Sequence, residues 1–500
     1  MKKRFHAVIP VILGLVAAQV IATFHVYLSN ASLYRTTVLI RDAGYLAVPN
    51  AHIMPSLKEW GPAFFGGLFF TLTVGVGLAI LSFSAAWSWH RLFRKRKSFL
   101  ILLLVLWAAC LVSVNLQGVI PVASLYFLVI PPLVFWTGEK WLAKNKRKQN
   151  GWTGLLHVLP ILALAFLWGS QADKRLFLDL RDYLLLSNPV GARVNNFYYD
   201  YTLYPAEVFK SLRQKLLKTA VLENIPKEPV SRAFQRELLH NDYLTLEPGL
   251  AADLRVRQSH DQFLLVHNSR TILRTSLKDF VSNSASVLGQ FSLKCDRYAL
   301  FRAYTFYALL IAFPIFLYLF LHAILCAPLS LLLSWRVSMV ISSLLCLFIG
   351  VALWAFFHHQ SALPVGEGEM VQALKSDAWQ VRVAALKIIE RKHMEITEFP
   401  TYKTLLSSPH VPERYWLTRA LGASRQPETF TDLLRFLEDP HPNVVSMAFY
   451  ALGRRGDRRA IPEIVKRIED SHNWYNQWHA YKALRMLGWT QSRSEQGSFS

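Results

Sequence analysis

Few side chains in this 500-residue sequence stand where they could make or break a bond. Asp42, beside Arg41 and just beyond the first apolar stretch, is an acid on a predicted outer loop, where a carboxylate can act on a substrate presented at a membrane surface. The same two residues also read as an ordinary surface ion pair. His25, His157 and His322 fall in or beside apolar runs, where a neutral imidazole bonds a neighbouring helix, and a structural role is expected for them. His358-His359 ends another such run without a third ligand, so no metal and no other cofactor is expected. The densest chemical feature is aromatic: Phe197, Tyr198, Tyr199, Tyr201 and Tyr204 place five rings within eight residues. Such rings bury an apolar face while their hydroxyls reach water, which suits a binding groove, a partner surface or a membrane interface. The plainer reading is a domain core lying against the headgroups. Trp474, Tyr475 and Trp478 form a second aromatic group near the C-terminus.

Signature motifs are absent: there is no G-x-x-x-x-G-K-S/T, no G-x-S-x-G, no H-E-x-x-H and no EF-hand loop. Cys110, Cys295, Cys326 and Cys346 form no C-x-x-C pair, and three of them sit in apolar runs, so neither a disulfide framework nor a zinc site is implied. The net charge of +22 would suggest nucleic acid if it covered a soluble domain. It does not: residues 173–297 hold 18 basic against 14 acidic side chains, and residues 364–500 hold 19 against 16. The excess lies in loops beside apolar segments, where it sets topology, and no nucleic-acid partner is expected.

The elements that must position these residues begin with the apolar runs. A crossing helix needs roughly 20 apolar residues to span about 30 Å of hydrocarbon. Runs at 7–28, 61–87, 99–115, 119–137, 152–169, 304–333 and 337–357 predict about seven crossings, the fifth short and interrupted by Pro160. Arg91, Arg94, Lys95, Arg96 and Lys97 follow the second run, and Lys140, Lys144, Lys146, Arg147 and Lys148 follow the fourth. With Lys2, Lys3 and Arg4 they mark the cytoplasmic side, while the turn Leu116-Gln117-Gly118 carries no charge. Both polar regions then fall outside, in a membrane taken to be a bacterial inner membrane. Ser29-Asn30-Ala31 fits a small-x-small cleavage site, yet the preceding run is long for a signal peptide and is read as a retained anchor. Thr71, Gly75 and Ala79 repeat at small-x-x-x-small spacing, which permits close helix approach, most simply inside the same bundle.

Between the fifth and sixth runs the pattern mixes helical periods at 176–186, 206–217 and 230–239 with strand-like runs at 262–266 and 271–275. The link His267-Asn268-Ser269-Arg270 predicts a hairpin turn. A small α+β domain follows.

Internal repetition is the clearest soluble signal. Asp377, Ser408, Asp439 and Asp470 are spaced by 31 residues, each opening a segment that continues into an apolar helix. The fullest unit runs Leu433-Leu434-Arg435-Phe436-Leu437-Glu438-Asp439-Pro440, Asn443-Val444-Val445, Ala448, Ala451-Leu452-Gly453 and Asp457 to Pro462. An Asp-Pro break separates the paired helices, small Ala positions let them approach, and Gly ends the second. Asp377 with Val381-Arg382 and Ala384-Ala385, Ala420-Leu421-Gly422, and Ala480 with Ala483-Leu484 before Gly488 echo it. The stretch resembles HEAT-like repeats of the phycobilisome-lyase type, which implies an α-solenoid whose surface receives another protein. The second unit departs with Pro409, Pro412 and Tyr415-Trp416, and the last with Trp474, Tyr475 and Trp478; terminal units deviate when they cap a stack, and an aromatic partner surface is the other reading.

The sequence thus predicts a mostly α protein: a polytopic transmembrane helix bundle (1–170 and 304–357), an inserted small α+β extracytoplasmic domain (171–303), a C-terminal HEAT-like α-solenoid (364–490) and a disordered tail (491–500). Its expected partners are the lipid bilayer and a protein bound through the repeats. A membrane-anchored scaffold is the leading reading. The second is an integral-membrane enzyme acting on a lipid-linked substrate, since the position of Asp42 resembles that of the acid in membrane glycosyltransferases. The third is a non-ATPase subunit of a transport complex.

Overall fold

The computed structural model describes residues 9–144, 152–170, 176–225, 228–361 and 365–493; Lys2, Lys3, Arg4, Lys146, Arg147, Lys148 and most of the predicted tail lie outside them. Most of the described chain is helical, with one small mixed sheet. In chain order come α1 (Ile9–Asp42), α2 (Trp60–Leu92), α3 (Lys97–Val114), α4 (Pro121–Lys144) and α5 (Trp152–Gly169). Next are α6 (Pro189–Tyr201), α7 (Leu203–Phe209), α8 (Glu228–His240) and α9 (Leu277–Cys295). Then follow α10 (Ala299–Leu332) and α11 (Trp335–Ser361). The repeats add α12 (Met370–Leu374), α13 (Trp379–Lys392), α14 (Tyr402–Leu405), α15 (Val411–Leu421), α16 (Pro427–Arg435), α17 (Pro442–Arg455), α18 (Ile461–Asp470) and α19 (Trp474–Met486). Six of these helices, α1 to α4, α10 and α11, are long and apolar enough to cross a membrane.

The chain divides into two compact units. The first gathers Met1–Val26, Ala63–Leu184 and Arg297–Leu363. Here the small-residue stripe of α2 meets α1 in antiparallel register: Gly75 faces Ala18, whose Cβ would stand 2.6 Å from a Cβ built on the glycine, and Gly14 faces Ala79. Between apolar surfaces, close approach replaces hydrophobic drive as the source of packing energy. Gln19 completes the joint, accepting from Thr71 Oγ1 at 2.7 Å and donating to Phe64 O at 2.9 Å. The stripe therefore packs inside its own bundle. Helix α1 runs unbroken through Ser29-Asn30-Ala31. The uncharged turn is closed by Asn115, whose Oδ1 accepts from Ile120 N at 2.8 Å while its Nδ2 donates to Ser124 Oγ at 2.8 Å. His25 stacks on Phe70 and Tyr298 and touches Tyr126 and Phe301, and His157 meets His322 edge to face. Both are interhelical packing groups.

The second unit gathers Tyr27–Pro62, Leu185–Asp296 and Pro364–Ser500. Its sheet has the order β2-β1-β3-β4-β5, with β1 (Lys218–Glu223), β2 (Tyr243–Leu246), β3 (Leu254–Ser259), β4 (Gln262–His267) and β5 (Arg270–Thr275). Strand β1 is parallel to β2 and β3, and β3 to β5 form an antiparallel meander. Helix α8 is the crossover from β1 to β2, and with α9 it covers one face through Phe234, Leu238, Phe280 and Phe291. The predicted hairpin is present, and Asn268 and Ser269 both adopt positive φ, as a tight two-residue turn requires. The helix expected over 206–217 stops at Phe209, because Ser211 and Gln214 bond each other and Arg213 N donates to Ser292 Oγ at 2.7 Å. In the repeats the second helices follow one another, α13 against α15, α15 against α17 and α17 against α19.

Candidate functional site

Each repeat turns between its two helices on one hydroxyl or carboxylate. Ser376 Oγ accepts from Ala378 N, Ser408 Oγ from His410 N, Asp439 Oδ1 from His441 N and Ser471 Oγ from Asn473 N. The turn residue is thus Ser376 in the first unit and Ser471 in the last, one position away from the Asp377 and Asp470 of the regular spacing. Six residues further on, a side chain reaches back to the turn carbonyl: Arg382 to Ser376 O, Arg414 to Ser408 O at 2.5 Å and Gln477 to Ser471 O at 2.7 Å. In the third unit that position is Val445.

The two arginines also bind the following repeat. Arg382 pairs with Glu413, whose side chain is wholly buried, and Arg414 grips Asp439 through Nε at 2.6 Å and Nη2 at 3.1 Å. A two-pronged guanidinium fixes distance and orientation together, so each joint is registered as well as held. Arg414 is the counterpart of Arg382 in the second unit.

Among the described residues no further repeat follows the fourth, and a segment from the first quarter of the chain packs at its end. Asn50 N donates to Gln477 Oε1 at 2.9 Å, and Asn50 Nδ2 lies 2.8–2.9 Å from the carbonyls of Ile468, Glu469 and Ser471. Gln491 extends the joint, accepting from Leu46 N at 2.9 Å and donating to Leu46 O at 3.1 Å. Tyr45 Oη meets Thr245 Oγ1 at 3.0 Å and accepts from Arg493 Nε at 3.1 Å. These amides close orphan carbonyls at a helix end, which would otherwise be buried without partners.

The two predicted aromatic groups meet here. Tyr199 stands edge-on to Tyr475 at 4.7 Å, Tyr204 edge-on to Trp474 at 5.1 Å, and Tyr201 links Tyr204 to Phe197. Trp478 lies at the rim, with Lys482 Nζ 3.6 Å from its ring. Tyr204 Oη reaches Ser56 Oγ at 2.8 Å, and beside the seam Asn195 Nδ2 donates to Asn443 Oδ1 at 3.0 Å. Phe197 and Tyr198 contact the rings of Tyr201 and Tyr199 and remain partly exposed. Burial shapes the charges of the seam: desolvation, then the neighbouring Lys482, push the His479 imidazole down to about 3, and desolvation raises Asp200 and Tyr204. Lys482 is lowered by desolvation and by Lys210.

Asp42 is the final residue of α1, with its side chain 57% exposed and paired to Arg41 at 3.1 Å. Among the described residues, no group of three or more His, Cys, Asp or Glu side chains is placed to hold a metal ion. The seam offers rings, amides and buried carbonyls, which is chemistry for docking polypeptide. Sequence reasoning found its aromatics but missed Asn50, Gln477 and Gln491, since single amides carry no periodic signal.

No curated protein and no solved structure matches the chain. Residues 399–485 match a protein-family model described as HEAT repeats, which covers three of the four helical pairs and less than a fifth of the chain.

Proposed function

We propose that this protein is a membrane-anchored scaffold whose HEAT-like repeats, stacked as a short α-solenoid, are presented to a protein partner of the cell envelope. The observation that carries the reading is the HEAT-repeat match over residues 399–485, because arrays of this kind offer an extended surface for another polypeptide. The six long apolar helices support the anchor.

Connectivity supports a single side for the second unit. Its three stretches, Tyr27–Pro62, Leu185–Asp296 and Pro364–Ser500, pack together, so an even number of crossings has to separate them. Helices α2, α3 and α4 alone would give an odd number between the first two stretches, and α5 as a further crossing restores parity. The loop charges favour the exterior for that side, in a membrane we take to be a bacterial inner membrane.

Trp474 and Tyr475 are engaged by the chain's own aromatics, so the partner is placed on exposed positions of the repeats such as Val371, Tyr450 and Met486. A photo-crosslinking residue introduced at each of these in intact cells is expected to trap one discrete protein from at least one of them, with Trp474 as the buried control. Silence at all three, with the protein folded and at normal abundance, would reject the scaffold reading. Side is tested with Ser187→Cys and Arg458→Cys in a cysteine-free background: both are expected to react with an impermeant thiol reagent before lysis.

A further inference from the structure

Helix α6 keeps a stripe of apolar side chains partly exposed. Val190, Val194, Phe197 and Tyr198 are 72%, 54%, 40% and 54% exposed. At about 3.6 residues per turn they share one stripe roughly 100° wide. The sector next to it is already occupied: Gly191 and Asn195 are buried, and Tyr199 packs on Tyr475. Arg193, Asn196 and Asp200 form a polar edge between the two. The second unit covers that sector and leaves the apolar stripe outward, and a contiguous exposed apolar stripe on a helix marks a contact surface.

A second observation places the C-terminal end of α6 close to the start of a long apolar helix. Just past the C-terminal end of α6, Tyr204 is held to Ser56 at 2.8 Å. Ser56 is four residues ahead of Trp60, where α2 begins, a reach of at most about 14 Å of chain. Trp60, 56% exposed, lies flat on Tyr27 of α1 with ring centroids 4.1 Å apart, and Lys58 Nζ stands 3.8 Å from the ring of Tyr34. Tryptophan, tyrosine and a lysine over a ring at the ends of long apolar helices are the composition of a membrane–water interface.

We infer that the exposed stripe of α6 is an interfacial lipid-binding surface, lying in the headgroup region and seating the second unit on the bilayer. This rests on the membrane reading above. Arg193 and Asp200 balance each other along the polar edge, so apolar burial drives the contact and the anionic-lipid content of the bilayer has little influence.

The test uses the full chain, free of its native cysteines, in phosphatidylcholine vesicles with and without brominated acyl chains. An environment-sensitive fluorophore is attached at Val190→Cys, Val194→Cys or Asn196→Cys, and at Val105→Cys on the exposed side of α3. The expected result is loss of fluorescence in brominated lipid at positions 105, 190 and 194, little loss at 196, and the same pattern when phosphatidylglycerol is added. Quenching at 105 but not at 190 and 194 would overturn the proposal and leave the membrane reading intact. Protection of 190 and 194 from aqueous iodide without quenching by brominated lipid would overturn it in favour of a protein cover. Absence of quenching at 105 would remove the membrane reading and this inference with it.

Discussion

The joints inside the repeat array and the joint that ends it use the same position differently. Between the first three units, Arg382 and Arg414 reach across to Glu413 and Asp439, so each joint is a buried ion pair between consecutive copies of one motif. At the end, Gln477 stands where those arginines stand and receives the backbone of Asn50 from a segment that is no repeat at all. These two joints can use charge because the next unit brings an acid. A terminal joint has no such copy, and an uncompensated arginine there would face a large desolvation cost, so a neutral amide with a matched partner is the stable solution.

The sharpest way to break this contrast is Arg414→Ala. It leaves Asp439 buried without its guanidinium and frees the carbonyl of Ser408, and is expected to cost about 3–5 kcal/mol, read as the unfolding midpoint of the detergent-solubilised protein in denaturant. Asn50→Ala attacks the terminal joint, exposing three carbonyls of the last repeat, and should cost about 2–3 kcal/mol by the same measurement. If Asn50→Ala were as stable as the parent, the terminal joint would be a contact without energetic weight.

Acid separates the joints in another way. His479 is held neutral in the fold with its imidazole pushed from 6.5 to about 3, by desolvation first and by Lys482 second. The unfolded chain therefore binds the extra proton, and the associated stability is complete above pH 6.5 and is lost progressively as pH falls toward 3. His479→Phe, which keeps a ring against Tyr475 and Trp478, is expected to flatten that part of the melting-temperature profile. Tyr204→Phe removes only the hydroxyl bond to Ser56 and should cost about 1 kcal/mol. Asp42→Asn is the smallest: its exposed pair with Arg41 contributes no more than about 0.5 kcal/mol, so thermal unfolding should be unchanged.

Much of the architecture was legible because it repeats. A run of twenty apolar residues, a 31-residue recurrence and the alternation of Gln262 to Thr275 around a polar turn are each carried by many residues, so one exception does not hide them. Strands β1 and β2 were not legible: Lys218–Glu223 and Tyr243–Leu246 are short, and their parallel pairing depends on a crossover helix rather than on adjacent sequence. The aromatic stretch around Tyr199 was visible as a cluster, but its contact with Tyr475 spans most of the chain and no local pattern encodes it.

The sequence by itself determined which segments are helical and apolar, which helices pair into repeats, and where the small residues of α2 allow close approach. Those properties follow from periodicity and side-chain volume, which are local. Only the tertiary structure decided that the segment around Asn50 closes the last repeat, that Arg414 rather than the regular aspartate spacing registers the joints, and that α6 keeps an apolar stripe outward. Each of those depends on which partner a polar or aromatic group finds across hundreds of residues, and the free energy of such a contact exists only once both sides are in place.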